Sequence, residues 1–189
     1  MDQIRKHFRY KLVKNVLTKE ELELLKTYMV ISHRLNDFSF EDKNGFMKAA
    51  ETGFYGQPIM DSLLLNKCKL MEKHTGINLL PTYSYWRMYT KGSSLPFHND
   101  RPACEVSVTI NVGGDKVWPF IVNGKSFEIY PGDGLIYLGC ELFHSREPYE
   151  GDWQAQIFLH YVDAEGKNVK QHKDGRQTFG MEVRPKNEI

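Results

Sequence analysis

The fold of this chain is decided by Tyr89-Thr90-Lys91-Gly92-Ser93-Ser94-Leu95-Pro96-Phe97-His98-Asn99-Asp100. A histidine and an aspartate two positions apart on an extended strand project to the same side. A second histidine, His144, arrives from a later strand-like segment and completes a three-ligand face. Two imidazoles and one carboxylate suit Fe(II) and leave three positions open for substrate and dioxygen. H-x-D alone is a weak signal in a chain with 7 histidines and 24 acidic residues, so the weight falls on what surrounds it.

Both flanks read as β-structure. Upstream, Tyr83 to Tyr89 alternates, with Tyr85, Arg87 and Tyr89 on one face. Downstream, Val106, Val108 and Ile110 alternate with Glu105, Ser107 and Thr109, and Val117 to Val122 is a short apolar run. Asn123-Gly124 signals a type I′ hairpin into a strand from Ser126 to Tyr130. Pro131-Gly132-Asp133-Gly134 is a turn, with Asp133 a turn residue, before a strand from Leu135 to Leu138. Trp153 to Val162 is the last strand, and its alternation sets Gln154, Gln156, Phe158 and His160 on one face. About six short strands with turns at this spacing imply a sandwich or jelly-roll barrel.

The N-terminal part is helical support. A strand spans 8–17, and Thr18 with Glu21 forms a capping box, with Leu17 stapled onto Leu22. Leu22, Leu25 and Met29, with Leu24 and Tyr28, give the helix one apolar face, and it ends near Asn36. Residues 37–57 lack periodicity and are expected to form a loop over the mouth of a site. A second helix starts at about Pro58, places Met60, Leu63, Leu64, Cys68 and Met71 at helical spacing, and stops at Gly76. From Asp163 the chain is charged and poor in apolar groups, so a surface tail is expected, with Lys167, Lys170, His172, Lys173 and Arg176 solvated.

At 189 residues the chain is expected to be one domain: support 1–78, barrel core 79–163, tail 164–189. A net charge of +1 and a pI near 7.7 give no reason to expect nucleic acid or an anionic membrane. Met1-Asp2-Gln3-Ile4-Arg5-Lys6 is too polar for a leader, and no apolar run is long enough to span a bilayer. Cys68, Cys104 and Cys140 are odd in number, with no C-x-x-C, so a disulfide framework is not expected and a cytoplasmic setting is.

In order and spacing, these motifs resemble the Fe(II)/2-oxoglutarate-dependent dioxygenases, and within them the prolyl-hydroxylase-like branch. Tyr89-Thr-Lys-Gly92 leading to His98-Asn-Asp100 resembles the family's Y-x-x-G…H-x-D. Pro131-Gly132-Asp133 resembles its P-x-G-D turn, and His144-Ser-Arg-Glu-Pro148 its distal-histidine segment. The resemblance covers most of 8–163. It implies a mainly β chain with N-terminal helices: a double-stranded β-helix, a cupin-like jelly-roll barrel. It implies Fe(II) on His98, Asp100 and His144, with 2-oxoglutarate and O2 as cosubstrates and ascorbate as an optional accessory. The implied reaction releases succinate and CO2 and hydroxylates a peptide, prolyl-type, or a small molecule. Asp100 supplies a carboxylate ligand, which disfavours halogenation.

One departure concerns the cosubstrate. The family pattern places a Lys or Arg about nine or ten residues after the distal histidine to bind the far carboxylate, and here Trp153 and Gln154 stand there. Three cations are candidates in its place. Arg146 shares the strand face of His144 and ranks first. Arg87 shares a face with Tyr89, whose family match contacts the cosubstrate, and ranks second. Lys116 resembles the lysine of asparaginyl-hydroxylase-type relatives and ranks third. Thr109 and Gln154 can add neutral hydrogen bonds. Arg146 paired with Glu147 or Glu150 at the surface, and Arg87 as a stacked structural arginine, are the bland alternatives. Trp118 and Trp153 read as packing, and His160 stays unassigned. Two other functions compete: a catalytically inactive cupin-like metal- or ligand-binding module, and a metal-dependent isomerase or cofactor-free dioxygenase on a related barrel. Substrate recognition falls to loops at 37–57 and 91–97, and the oligomeric state is open.

Overall fold

A computed structural model describes residues 7–35 and 48–182. Nine strands form one continuous hydrogen-bonded array: β1 (Tyr10–Val13), β2 (Lys48–Tyr55), β3 (Leu79–His98), β4 (Val106–Gly114), β5 (Phe120–Val122), β6 (Lys125–Phe127), β7 (Gly134–Tyr137), β8 (His144–Arg146) and β9 (Trp153–Asp163). The order is β1-β7-β4-β9-β3-β8-β5-β6, with β2 on the other side of β3, and every pairing is antiparallel. β3 serves both halves of the array: Leu79 to Thr90 pairs with β9, and Leu95 to His98 pairs with β8. The sheet thereby folds back on itself as a jelly roll, the expected fold class.

Period-two patterning divides the faces. Val106, Val108, Ile110 and Val112 of β4, Ala155, Ile157, Leu159 and Tyr161 of β9, and Trp86 and Met88 of β3 join one buried apolar cluster. That cluster packs against two helices, α1 (Lys19–Leu35) and α2 (Pro58–Thr75). The opposite face carries Tyr85, Arg87 and Tyr89, then Ser107, Thr109 and Asn111, then Gln154, Gln156 and His160, and it looks toward β5 and β8. At full burial, apolar contacts of this kind stabilise by about 1.5–3 kcal/mol per large side chain, so the helices hold the barrel from outside.

The expected local signals are present. Thr18 and Glu21 exchange hydrogen bonds at 2.8 and 3.2 Å as a capping box. α2 ends on Gly76, whose φ of 71° is the left-handed cap that favours glycine. Asn123 and Gly124, at φ 50° and 74°, turn β5 into β6. Asp133 does more than turn the chain: buried, it accepts hydrogen bonds from Lys14 Nζ and the Asn15 amide, tying the start of α1 to β7.

Four expectations are corrected. Residues 48–55 form a strand, β2, where a loop was expected; residues 36–47 of that segment lie outside the described residues. β2 shows no apolar alternation; backbone pairing with β3 holds it, with Phe54 against Trp86 and Tyr55 stacked on Tyr83. At Gly53 a Cβ would meet the Tyr85 hydroxyl at 2.3 Å, so close approach selects glycine there. Residues 91–97 belong to β3 and are not a loop. Leu24 is 62% exposed, off the apolar face of α1. Finally, the tail is docked through 182. Arg176 donates from Nη1 to Asp61 Oδ2 at 2.7 Å and from Nη2 to the Thr82 carbonyl at 2.9 Å. Asp61 also accepts from the Ser84 and Gly180 amides and the Ser84 hydroxyl. Asp174 and Arg176 are buried and paired rather than solvated, which composition alone does not reveal, while Lys167 and Lys170 are exposed as expected. No helix among the described residues is long and apolar enough to cross a membrane.

The Arg176–Asp61 pair has side chains only 0% and 2% exposed. Removing one partner of such a pair leaves an uncompensated buried charge, so Arg176→Ala should cost about 3–5 kcal/mol in urea unfolding. A loss below about 1 kcal/mol, as for an exposed pair, would show that water reaches Asp61.

Candidate metal centre

The rung where β3 meets β8 builds the centre. His98 and His144 are register partners, and their ring centroids lie 4.2 Å apart. Each ring uses Nδ1 on a backbone carbonyl, His98 on Pro96 at 2.7 Å and His144 on Leu142 at 2.9 Å. A carbonyl only accepts, so the proton sits on Nδ1 and the Nε2 lone pair points away. Both Nε2 atoms lie 3.5 Å from the same oxygen, Asp100 Oδ1. One ligand atom from each of the three residues falls within 4.8 Å of the others. Three electron-pair donors facing one point, with no proton between them, fit a cation.

Asp100 reaches this point from beyond the end of β3, in the connection before a short 3-10 turn (Pro102–Cys104), and not from an extended strand as the spacing predicts. Its amide donates to the Gly139 carbonyl at 2.8 Å. A Cβ at position 139 would meet Asp100 Oδ2 at 2.3 Å and the Cys104 carbonyl at 2.4 Å, so glycine there makes room for the carboxylate. Burial by itself raises the Asp100 carboxyl; hydrogen bonds from Nε2 of protonated His144 and His98 rings would outweigh it and hold it well below the usual carboxylate range, the part a cation takes when both rings are neutral.

Behind Asp100, Ser107 Oγ lies 3.5 Å from Oδ2 and 2.8 Å from His160 Nδ1. Burial pushes His160 down to about 4, with Asp100 opposing, so the ring is neutral at pH 7. It faces the barrel interior as a satisfied core histidine, 4.4 Å from the Tyr83 ring. Asp100, Cys104 and His160 also bring ligand atoms within 4.8 Å. Burial raises the Cys104 thiol well above its usual range, so it stays protonated beside the Tyr83 hydroxyl. That trio packs behind the first group.

The three anchor candidates fall in different places. Arg146 is 3% exposed. Its Nη1 donates to the Trp118 carbonyl at 2.5 Å, and the guanidinium lies 4.7 Å from the Trp118 ring centroid and 4.9 Å from that of Phe120. Its Nη2 is buried with no hydrogen-bond partner. Burial lowers its pKa to about 10, which leaves it charged at neutral pH. Trp118 is therefore packing, as expected, and also a wall for the guanidinium. Arg87 is buried on the same interior, and its Nε donates to the Tyr85 hydroxyl at 3.1 Å. Tyr89 is buried, and Arg87 and Arg146 both act on its hydroxyl electrostatically. Lys116 does not enter: it lies 3.8 Å from Glu150, with side chains 56% and 85% exposed. Its place beside the Gly113-Gly114-Asp115 turn aims it at solvent.

The remaining orphaned polar atoms belong to the same interior: Asn111 Oδ1, both amide atoms of Gln154, and Gln156 Nε2. Thr109 Oγ1 bonds Gln156 Oε1 at 3.2 Å. Native interiors leave few such groups unpaired, and their gathering in one bore marks a place for a polar ligand. Sequence reasoning did not single out Ser107, Gly139, Asn111 or Gln156. Alternation places three of them on the correct face, but nothing in a lone serine or amide marks it out, and Gly139 is legible only once Asp100 has been placed.

No family model and no curated protein matches this sequence. Solved structures do match in shape. A Pseudomonas putida prolyl-4-hydroxylase superposes with a TM-score of 0.67 at 12% identity, over 85% of this chain and 96% of that one. A Trichoplax adhaerens prolyl hydroxylase, in complex with a hypoxia-inducible-factor oxygen degradation domain peptide fragment, gives 0.66 at 14% identity, over 93% of this chain and 90% of that one. HygX from Streptomyces hygroscopicus, with nickel and 2-oxoglutarate bound, gives 0.64 at 11% identity over 86% of each chain. At these identities the likeness is one of fold, and the fold is that of 2-oxoglutarate- and Fe(II)-dependent oxygenases.

The His160 ring gives a pH test. An unfolded histidine takes up its proton near 6.5, the buried ring only near 4. The unfolded chain therefore binds more protons in that window, and stability falls as pH drops through it. Between pH 7 and pH 5 the metal-free protein should lose about 2 kcal/mol more than His160→Gln. Equal losses in urea melts would show that the ring is already protonated when folded.

Proposed function

We propose that this chain is an Fe(II)- and 2-oxoglutarate-dependent dioxygenase that hydroxylates a prolyl-type peptide or a small molecule, with release of succinate and CO2. The observation that carries the reading is the junction on β8: His144 belongs to the three-donor cluster, and two residues later Arg146 buries a guanidinium whose Nη2 has no partner.

His98, Asp100 and His144 are the proposed ligands. Fe(II) bound there would supply dioxygen activation coupled to oxidative decarboxylation of the 2-oxo acid. The Pro96 and Leu142 carbonyls fix the tautomer of each imidazole, so both lone pairs are presented without rearrangement. Asp100, held ionised in the neutral range, would balance one of the two charges of the metal. Arg146 binds the far carboxylate of 2-oxoglutarate through Nη2, with the Tyr89 hydroxyl as neighbour and Arg87 as a second cation. Gln154, standing in the family's basic position, contributes a neutral amide. Trp118 and Phe120 exclude water from the guanidinium, which strengthens a charge-assisted bond.

The peptide bound to the Trichoplax neighbour supports a peptide substrate. All three cysteines are free, in keeping with the proposed cytoplasmic setting. A catalytically silent binding module is the second reading, favoured by Gln154, and turnover separates the two.

With fresh Fe(II) in air, the protein should release succinate from 2-oxoglutarate slowly even without prime substrate, and a silent module would release none. His98→Ala and Asp100→Ala should abolish iron binding while circular dichroism is unchanged; full iron affinity in both would end the proposal. Arg146→Gln should raise the KM for 2-oxoglutarate about tenfold or more while Lys116→Ala leaves it alone, and the reverse ranking would move the anchor to Lys116.

A further inference from the structure

Of the three proposed ligands, two are fixed by strand pairing and one is not. His98 and His144 sit on a ladder rung, whereas Asp100 lies past the end of β3, where no strand pairing holds it. Backbone contacts hold one side of its turn: the Asp100 amide on Gly139, and the Arg101 carbonyl accepting from the Cys104 amide at 2.9 Å and from Cys140 Sγ at 3.1 Å.

The other side is held by the C-terminal segment. Arg101 donates from Nη1 to Asp174 Oδ1 at 2.6 Å and from Nη2 to Asp174 Oδ2 at 2.7 Å. This parallel, two-bond geometry fixes orientation as well as distance. The Tyr55 hydroxyl donates to Asp174 Oδ2 at 2.7 Å. The guanidinium also lies 4.5 Å from the Tyr83 ring centroid, and Tyr83 stacks on Tyr55 at 5.0 Å. The Asp174 side chain is 3% exposed.

The backbone that delivers this carboxylate is unusual. Lys173, Asp174 and Gly175 have φ values of 60°, 54° and 76°. Successive non-glycine residues in the left-handed region persist only where their surroundings over-determine them, and such positions gather at functional sites. Arg176, directly afterwards, is locked to Asp61 and Thr82, so the hook is anchored independently of Arg101.

We propose that Asp174 is a positioning residue for Asp100, acting through Arg101, so that the C-terminal segment completes the metal centre. The inference rests on reading His98, Asp100 and His144 as a metal site. It gives the docked tail a role in the reaction beyond covering the sheet.

Co(II) titration of the full-length apoprotein tests it, read by visible d–d absorption and by Kd, beside thermal unfolding without metal. Groups that hydrogen-bond a metal ligand typically change affinity 10–100-fold, and Asp174 acts one residue further out, through Arg101, so Asp174→Asn should weaken Co(II) binding by about tenfold, the low end of that range, and alter the band. Arg101→Gln cuts the same contact from the other end and should reproduce the loss, and the double variant should be no weaker than either single one. Leu64→Ala, buried in the helix-packed core away from the turn, serves as the destabilised control and should keep the wild-type Kd. The proposal is overturned if Asp174→Asn, or Arg101→Gln should the first not fold, binds Co(II) like wild type while its Tm falls as the control's does. Wild-type protein that binds no Co(II) would instead overturn the metal site itself.

Discussion

One rung of antiparallel ladder, His98 against His144, is the constraint on which the rest of the structure depends. It brings two imidazoles from positions far apart in sequence to a centroid distance of 4.2 Å. The ladder also fixes which way each strand faces, since a slip of one residue would turn every side chain over. That register turns Arg146 inward with His144, and an irregularity between Leu95 and His98 lets β3 present His98 on the same interior as Tyr85, Arg87 and Tyr89. On the outward side of β3, Trp86 and Met88 join the apolar cluster that meets α1 and α2. A barrel with this division carries its polar groups inside, where each unpaired one is costly. The unpaired ones converge in one bore, beside a guanidinium that burial weakens yet leaves charged.

Much of this was legible in the sequence because it depends on short-range rules. Period-two alternation placed β3, β4, β7 and β9 and sorted their faces. The Thr18–Glu21 box and the Asn123-Gly124 turn are local chemistry, and each appears where its residues stand. The three-donor cluster followed from order and spacing, and Arg146 from counting two positions along a strand. Even the weak point of that reasoning is informative: Asp100 faces the histidines although it is not on a strand, because the Gly139 carbonyl and the space left by Gly139 bring it there.

What was not legible depends on distant partners. β2 opens on Lys, Ala, Ala, Glu, Thr and Gly with no alternation, and its strand character rests on pairing with β3 and on Phe54 and Tyr55 meeting Trp86 and Tyr83. The tail reads as solvated because charge is its dominant feature, yet Asp174 and Arg176 find Arg101 and Asp61 across the fold. Lys116 stood in a suggestive sequence context, but the turn that holds it points outward to Glu150. In each case the deciding contact spans a separation that no local pattern encodes.

X-ray absorption at the iron edge of the anaerobic Fe(II)-loaded protein tests the central claim most directly. The account predicts a first shell of nitrogen and oxygen, with the multiple scattering of two imidazoles and no sulfur, and a spectrum that changes when 2-oxoglutarate is added. A sulfur scatterer would place the ion on Cys104 with Asp100 and His160, and a single imidazole would separate His98 from His144; either result would contradict it.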